Sequence, residues 1–189
     1  MTDTNPASIL KQISQFKDQE FPPVHLWNPP LCENVEMRID REGNWFFMNS
    51  PIGRKRMVKL FSKVLRLDID GNYYLVTPFE KIRILVDERP FSIIDFQVFK
   101  DKGIQKISFE TNIGDKFILD EDHPIKVVID KETEEPKPYV LVRSNLEAIL
   151  SRNVYYKLVD LSQIKRIKKT EILSVESSGI TFEIGRLSA

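Results

Sequence analysis

Five consecutive residues, Ser50-Pro51-Ile52-Gly53-Arg54, combine the types that build an anion cradle. Serine caps a helix, proline suits its first position, and the backbone N–H groups of the first turn are left without helical partners. Such a terminus carries roughly half a positive charge, glycine admits an anion close to the backbone, and arginine grips phosphate or carboxylate with two donors. On that reading Ser50 caps, Pro51 opens the helix, and Gly53 with Arg54 receives the anion. The basic residues from Arg54 to Arg66 also suit a merely solvated outer face.

Other chemistries find less to work with. The histidines are His25 and His123 and the single cysteine is Cys32, and these make no zinc spacing. "DIDGN" at Asp68–Asn72 has its glycine fourth rather than sixth, and Phe79 stands where a calcium loop needs glutamate, so a turn is expected. The seven glycines are never closer than six positions, which excludes dinucleotide and Walker phosphate loops. A Ser-His-Asp triad or a base at His123 oriented by Asp122 would need a histidine from a proline-flanked turn, and no spacing argues for catalysis or for a cofactor. Cys32, in "NPPLCENV", has no basic neighbour to activate it. The basic run Lys165–Lys169 carries no interleaved aromatic and so does not suggest stacking of single-stranded bases.

The elements that must position such residues follow from periodicity. Pro6 with Ile9, Leu10, Ile13 and Phe16 marks a short amphipathic helix capped by Asn5, and "PPVHLWNPP" an irregular path anchoring Trp27. Val35, Met37 and Ile39 alternate with Glu36, Arg38 and Asp40 as in a half-buried strand, and "DREGN" turns it into a hairpin with "WFFMN". Met57, Val58, Leu60, Phe61, Val64 and Leu65 predict an amphipathic helix of about three turns. Strands then dominate from "YYLVT" through "YVLVR", with short connections that favour antiparallel pairing; "NVYYKLVDLSQIKRIKK" reads as a helix and "ITFEIG" as a last strand.

Lys and Arg balance Asp and Glu at 28 each, so no global field draws the chain to nucleic acid or to an anionic membrane. The longest uncharged stretch, Phe21–Cys32, is too short and too proline-rich to span a bilayer. The absence of a signal-peptide pattern and of a second cysteine makes the cytoplasm the expected compartment.

Two stretches echo each other. "REGNWFFMNSPI" (Arg41–Ile52) parallels "NIGDKFILDEDHPI" (Asn112–Ile125), and "YYLVTPFEKI" parallels "YVLVRSNLEAI". A gap-tolerant duplication is the implied architecture: an α+β fold of two related halves, each a mostly antiparallel sheet with a helix. The expected divisions are a helix and linker over 1–24, a first repeat over 25–95 and a second over 96–189, with a ligand where the halves meet.

From Pro22 to Asp160 the chain resembles the bacterial domain of unknown function 1285 family, through "PPVHLWNPP", "MRIDREGNWFFMNSPIGR", "LFSKVLR", "YYLVTPFEKIRILVDERPF", "TNIGD", "DHP" and "LEAILSRNVYYKLVD". The resemblance implies a duplicated α+β protein whose second half has a pleckstrin-homology-like outline. It also implies a non-catalytic role in signal transduction, with a nucleotide-like small molecule and a signalling protein as partners. Carried over residue by residue, the implied ligand-binding positions are Gly53, Arg54, Thr77, Glu80, Asn112, Arg152 and Tyr155. A competing expectation is a protein-interaction module that takes up a peptide at an exposed sheet edge or groove.

Overall fold

A computed structural model describes residues 6–16, 21–167 and 170–188. Two compact units divide between Glu88 and Arg89. The boundary expected after residue 95 would cut a continuous strand, Phe91–Asp101, whose first residues belong to the second unit's core.

In the first unit, α1 (Pro6–Ser14) buries Ile9 and Ile13 and packs against α2 (Lys55–Lys63). Asn5, the expected cap, lies outside the described residues. Six strands form the sheet: β1 (Leu31–Ile39), β2 (Trp45–Phe47), β3 (Ser50–Pro51), β4 (Leu65–Leu67), β5 (Tyr73–Val76) and β6 (Lys81–Val86). Their order is β3-β2-β1-β6-β5-β4, with β1 and β6 parallel and every other pair antiparallel. Val35, Met37 and Ile39 point inward as their alternation requires, and Phe61 of α2 lies fully buried with its ring centroid 6.1 Å from that of Trp45. Trp27, half-buried, packs on Phe16 at 4.9 Å, while Arg66 donates to the carbonyls of Val24 and Trp27, both at 2.7 Å, and pins the proline-rich segment.

The helix after "SPIGR" starts later than its sequence signals indicate. Ser50 and Pro51 pair with Phe47 and Phe46 instead, because Met48 and Asn49, both left-handed (φ 46° and 62°), close a two-residue hairpin turn. Proline, having no N–H, is tolerated on this edge strand. Arg54 thus becomes the cap residue, with no side-chain capping bond. The helix also ends sooner: Val64 caps it, and Leu65 begins β4, so "DIDGN" turns a β4–β5 hairpin with Gly71 at φ +77°.

The second unit holds β7 (Phe91–Asp101), β8 (Ile104–Thr111), β9 (Lys116–Ile118), β10 (Ile125–Ile129), β11 (Pro136–Arg143) and β12 (Leu146–Leu150) in the order β10-β11-β12-β7-β8-β9. β7 and β12 are its parallel pair. Strand for strand this repeats the first sheet: the opening strand lies between the second and the sixth, antiparallel to one and parallel to the other. The fold is α+β with two related halves. Under this correspondence β5–β6 matches β11–β12, as "YYLVTPFEKI" and "YVLVRSNLEAI" indicate. The other echo pairs successive rather than equivalent hairpins, since Gly43 of the β1–β2 turn corresponds to Gly103 of the β7–β8 turn, both at φ 82°.

After β12 come α3 (Arg152–Asp160) and a separate three-stranded sheet, β13 (Gln163–Ile167), β14 (Thr170–Ser177) and β15 (Ile180–Ser188), in that order. The long helix expected over "NVYYKLVDLSQIKRIKK" therefore stops at Asp160. Gln163–Ile167 is recruited into a ladder in which Gln163 stands opposite Ser174 and Ile167 opposite Thr170, while Lys168 and Lys169, also expected in the helix, lie outside the described residues. Tertiary pairing overrides the helix propensity of Lys165 and Arg166. Among the described residues no helix is long and apolar enough to cross a membrane.

Candidate functional site

The seven expected ligand-binding residues are distributed over both units. Gly53 and Arg54 are exposed, nothing lies within 4 Å of a Cβ built on Gly53, and the N–H of neighbouring Ile52 is already bonded to the carbonyl of Trp45 at 2.7 Å. The N–H groups of Met57 and Val58 return to the Arg54 carbonyl, so the helix start lies beyond Gly53.

Thr77 and Glu80 come together around Gln12 of α1. The Thr77 hydroxyl donates to Gln12 Oε1 at 2.7 Å and receives the N–H groups of Phe79 and Glu80 at 3.2 and 3.1 Å. Gln12 Nε2 donates to Glu80 Oε1 at 2.6 Å. Thr77 is 1% exposed, and in this arrangement "TPFE" is the turn that fastens α1 to the sheet.

Asn112 bridges to the start of β7, its N–H reaching the Ser92 carbonyl at 2.9 Å and its Oδ1 accepting from the Ser92 N–H at 3.2 Å. Arg152, exposed at the start of α3, pairs with Glu135 at 2.7 Å. Tyr155 is 7% exposed and its hydroxyl donates to the Ile184 carbonyl at 2.7 Å. Burial, with the nearby Tyr156 adding to it, pushes its phenol pKa up. His123 Nδ1 lies 3.2 Å from the Leu141 carbonyl, and its ring packs on Phe117 at 4.8 Å; its own N–H and that of Asp122 cap on Asp120.

A concave site exists elsewhere in the first unit, where β1 and β6 part. Cys32 stands opposite Ile82 and Met37 opposite Ile84, so Glu33 to Glu36 on β1 face Arg83 alone on β6. A bulge of this size bends a strand out of its ladder and opens the sheet. The Met48 N–H holds the bulged strand by the Glu36 carbonyl at 2.9 Å. The resulting pocket has a volume of about 600 Å³. Leu31, Val35, Met37, Phe46 and Leu85 supply apolar wall, Cys32 adds a thiol, and Glu33, Glu36, Arg38, Asn49 and Arg83 are the polar members.

The two guanidiniums differ. Arg38 is forked onto Asp87, with Nε to Oδ1 at 3.0 Å, and the hydrogen-bonded pairing raises the arginine's pKa and lowers the aspartate's. Arg83 donates to the neutral amide of Asn72 at 2.7 Å, and among the described residues no carboxylate pairs with it. An exposed guanidinium facing an apolar hollow suits the head of an amphipathic anion. A shallower concavity shares Arg38 and includes Asp40, but that carboxylate is occupied by Glu42 N–H, Asn44 N–H and Asn44 Nδ2 at 3.0, 2.8 and 3.0 Å.

None of the seven expected residues lines this pocket. A sequence signal for it does exist. Alternation is strict from Val35 onward but fails just upstream, where Glu33 falls at an inward parity.

Among curated proteins none matches the chain. A solved structure of a DUF1285 family protein from Silicibacter pomeroyi DSS-3 is 40% identical, covers 93% of each chain and superposes with a TM-score of 0.80. A second DUF1285 family protein, from Shewanella baltica OS155, is 25% identical over 68% of this chain and 94% of its own, with a TM-score of 0.53. Residues 22–89 match the N-terminal domain of this family, described as a domain of unknown function, and residues 90–184 match the C-terminal domain, described as belonging to a protein of unknown function. With the doubled sheet, these matches establish that the chain belongs to the DUF1285 family.

Proposed function

We propose that this protein is a cytoplasmic, non-catalytic binding protein that takes a nucleotide-like anionic small molecule and acts in signal transduction. The observation that carries the reading is the bulge pocket, about 600 Å³ in volume, with Arg83, which no carboxylate pairs among the described residues, at its polar side. Its size falls within the range of small-molecule sites. Phe46 and Leu85 offer apolar surface to a flat ring, and Arg83 offers two donors to a phosphate or carboxylate. Arg38 supplies a second positive charge at the rim, already oriented by Asp87.

Isothermal titration with a panel of nucleoside mono- and diphosphates tests the proposal. A saturable ligand should lose at least about tenfold in affinity on Arg83→Ala, the equivalent of one strong charged contact. Phe46→Ala should weaken it comparably, and Arg54→Ala should leave it unchanged. Equal affinity in wild type and Arg83→Ala, or loss of binding in Arg54→Ala alone, would overturn the assignment to this pocket.

A further inference from the structure

The basic run beginning at Lys165 plays no part in the pocket, and its position in the fold gives it a different use. β13 is the terminal strand of the three-stranded sheet and pairs with β14 along one edge. Among the described residues no backbone hydrogen bond reaches its other edge. Gln163, Ile164, Lys165 and Arg166 are all exposed, Ile164 at 60%. Arg166 stands opposite Glu171 in the ladder, yet no ion pair joins them, and Lys165 is likewise without one among the described residues. β15, the opposite terminal strand, instead packs near β10.

An unpaired strand edge is a template for another strand, and charge determines which strand fits. A second copy of β13 would bring Lys165 and Arg166 against their own counterparts, a like-charge arrangement that destabilises strand pairs. An extended segment carrying acidic residues matches both cations and restores the missing ladder bonds.

We propose that the free edge of β13 docks an acidic, extended peptide segment of a partner protein by strand addition. Adjacent residues alternate between faces, so Lys165 projects to one side and Ile164 and Arg166 to the other. The partner segment therefore carries two neighbouring acidic residues, one per face, and an apolar residue that covers Ile164. Main-chain bonds supply affinity, and the two charge matches supply selection.

Fluorescence anisotropy on the full chain tests this with a labelled peptide of about eight residues, a length typical of strands, whose centre is Val-Glu-Glu, so that the two glutamates fall on opposite faces. Saturable binding that weakens with salt is expected. The Lys165→Glu/Arg166→Glu variant should bind at least about tenfold more weakly and should gain binding to the matching lysine peptide. Unchanged near-native circular dichroism and melting in that variant separates lost binding from lost folding. N-methylation of alternate peptide amides should abolish binding; retained affinity would show simple charge attraction and overturn strand addition. Failure of the glutamate peptide to bind, or preferential capture of a single-stranded oligonucleotide by the same two cations, would equally overturn the proposal.

Discussion

Replacing Tyr155 by phenylalanine separates a structural role from a ligand-stacking one, because it keeps the ring and removes only the hydroxyl. The need for that hydroxyl arises on β15. Glu183 pairs with Ser174 and Gly185 with Leu173, so Ile184 is an extra residue with no opposite number on β14. A bulged residue leaves a backbone group outside the ladder, and the Tyr155 hydroxyl reaches the Ile184 carbonyl at 2.7 Å. Gly185 leaves the space: a Cβ there would approach Leu173 Cδ1 at 3.3 Å and the Tyr155 hydroxyl oxygen at 3.4 Å. Ile184 is fully buried, so water is a poor substitute for the lost donor. Losing the bond and stranding a buried carbonyl costs about 1–3 kcal/mol. For a chain of 189 residues, a loss near the middle of that range corresponds to a fall in Tm of about 4–8 °C, readable by calorimetry. A Tm within about 1 °C of wild type, with weakened binding of a nucleotide, would refute the structural assignment and return Tyr155 to a ligand site.

The Gln12 amide, bonded at once to Thr77 and Glu80, should be a stability hinge for α1: Gln12→Ala is expected to cost about 1–3 kcal/mol in urea denaturation, whereas Arg54→Ala on the exposed helix start should stay within about 0.5 kcal/mol. Asp70 is held down to about 2 by the Asn72 N–H at 2.9 Å, the Tyr74 hydroxyl at 2.7 Å and the Asn72 side chain. Its folded pKa is depressed, so its contribution to stability is complete above the unfolded value of about 3.9 and is lost as pH falls through about 2. An NMR carboxyl titration should place the Asp70 midpoint near that lower value and find it raised in Tyr74→Phe; an unmoved midpoint would contradict the hydrogen-bond assignment.

Legibility varied with how local the determining interactions are. Val35, Met37 and Ile39 on β1 and Ile82 and Ile84 of the expected inward trio Ile82, Ile84 and Val86 on β6 are buried as period-two alternation requires, since strand geometry alone sets that parity, while Val86 at the strand's end is only half-buried. The duplication was legible at "YYLVTPFEKI" and "YVLVRSNLEAI", where each half keeps the same hairpin. The remaining echo misled because Gly turns followed by aromatic strands recur in successive hairpins. Helix ends failed for a related reason. Val64 and Leu65 are buried in either geometry, so apolar spacing did not distinguish a last helical turn from the start of β4. Ser50 and Pro51 carry a helix-start signature that the Met48–Asn49 turn overrides by placing them on an edge strand.

Composition, alternation and motif order determined the α+β class, the two halves and the family resemblance. Those properties reside in the identities of residues near one another along the chain. Only the tertiary structure decided which side chains meet: Gln12 with Thr77 and Glu80 across more than sixty residues, Tyr155 with the stranded carbonyl of Ile184, and a pocket opened by the mismatch between the bulged stretch of β1 and Arg83 on β6. Strand register is settled by pairing between distant segments, and a shift of a few residues decides whether a polar side chain ties the fold together or faces a ligand-sized hollow.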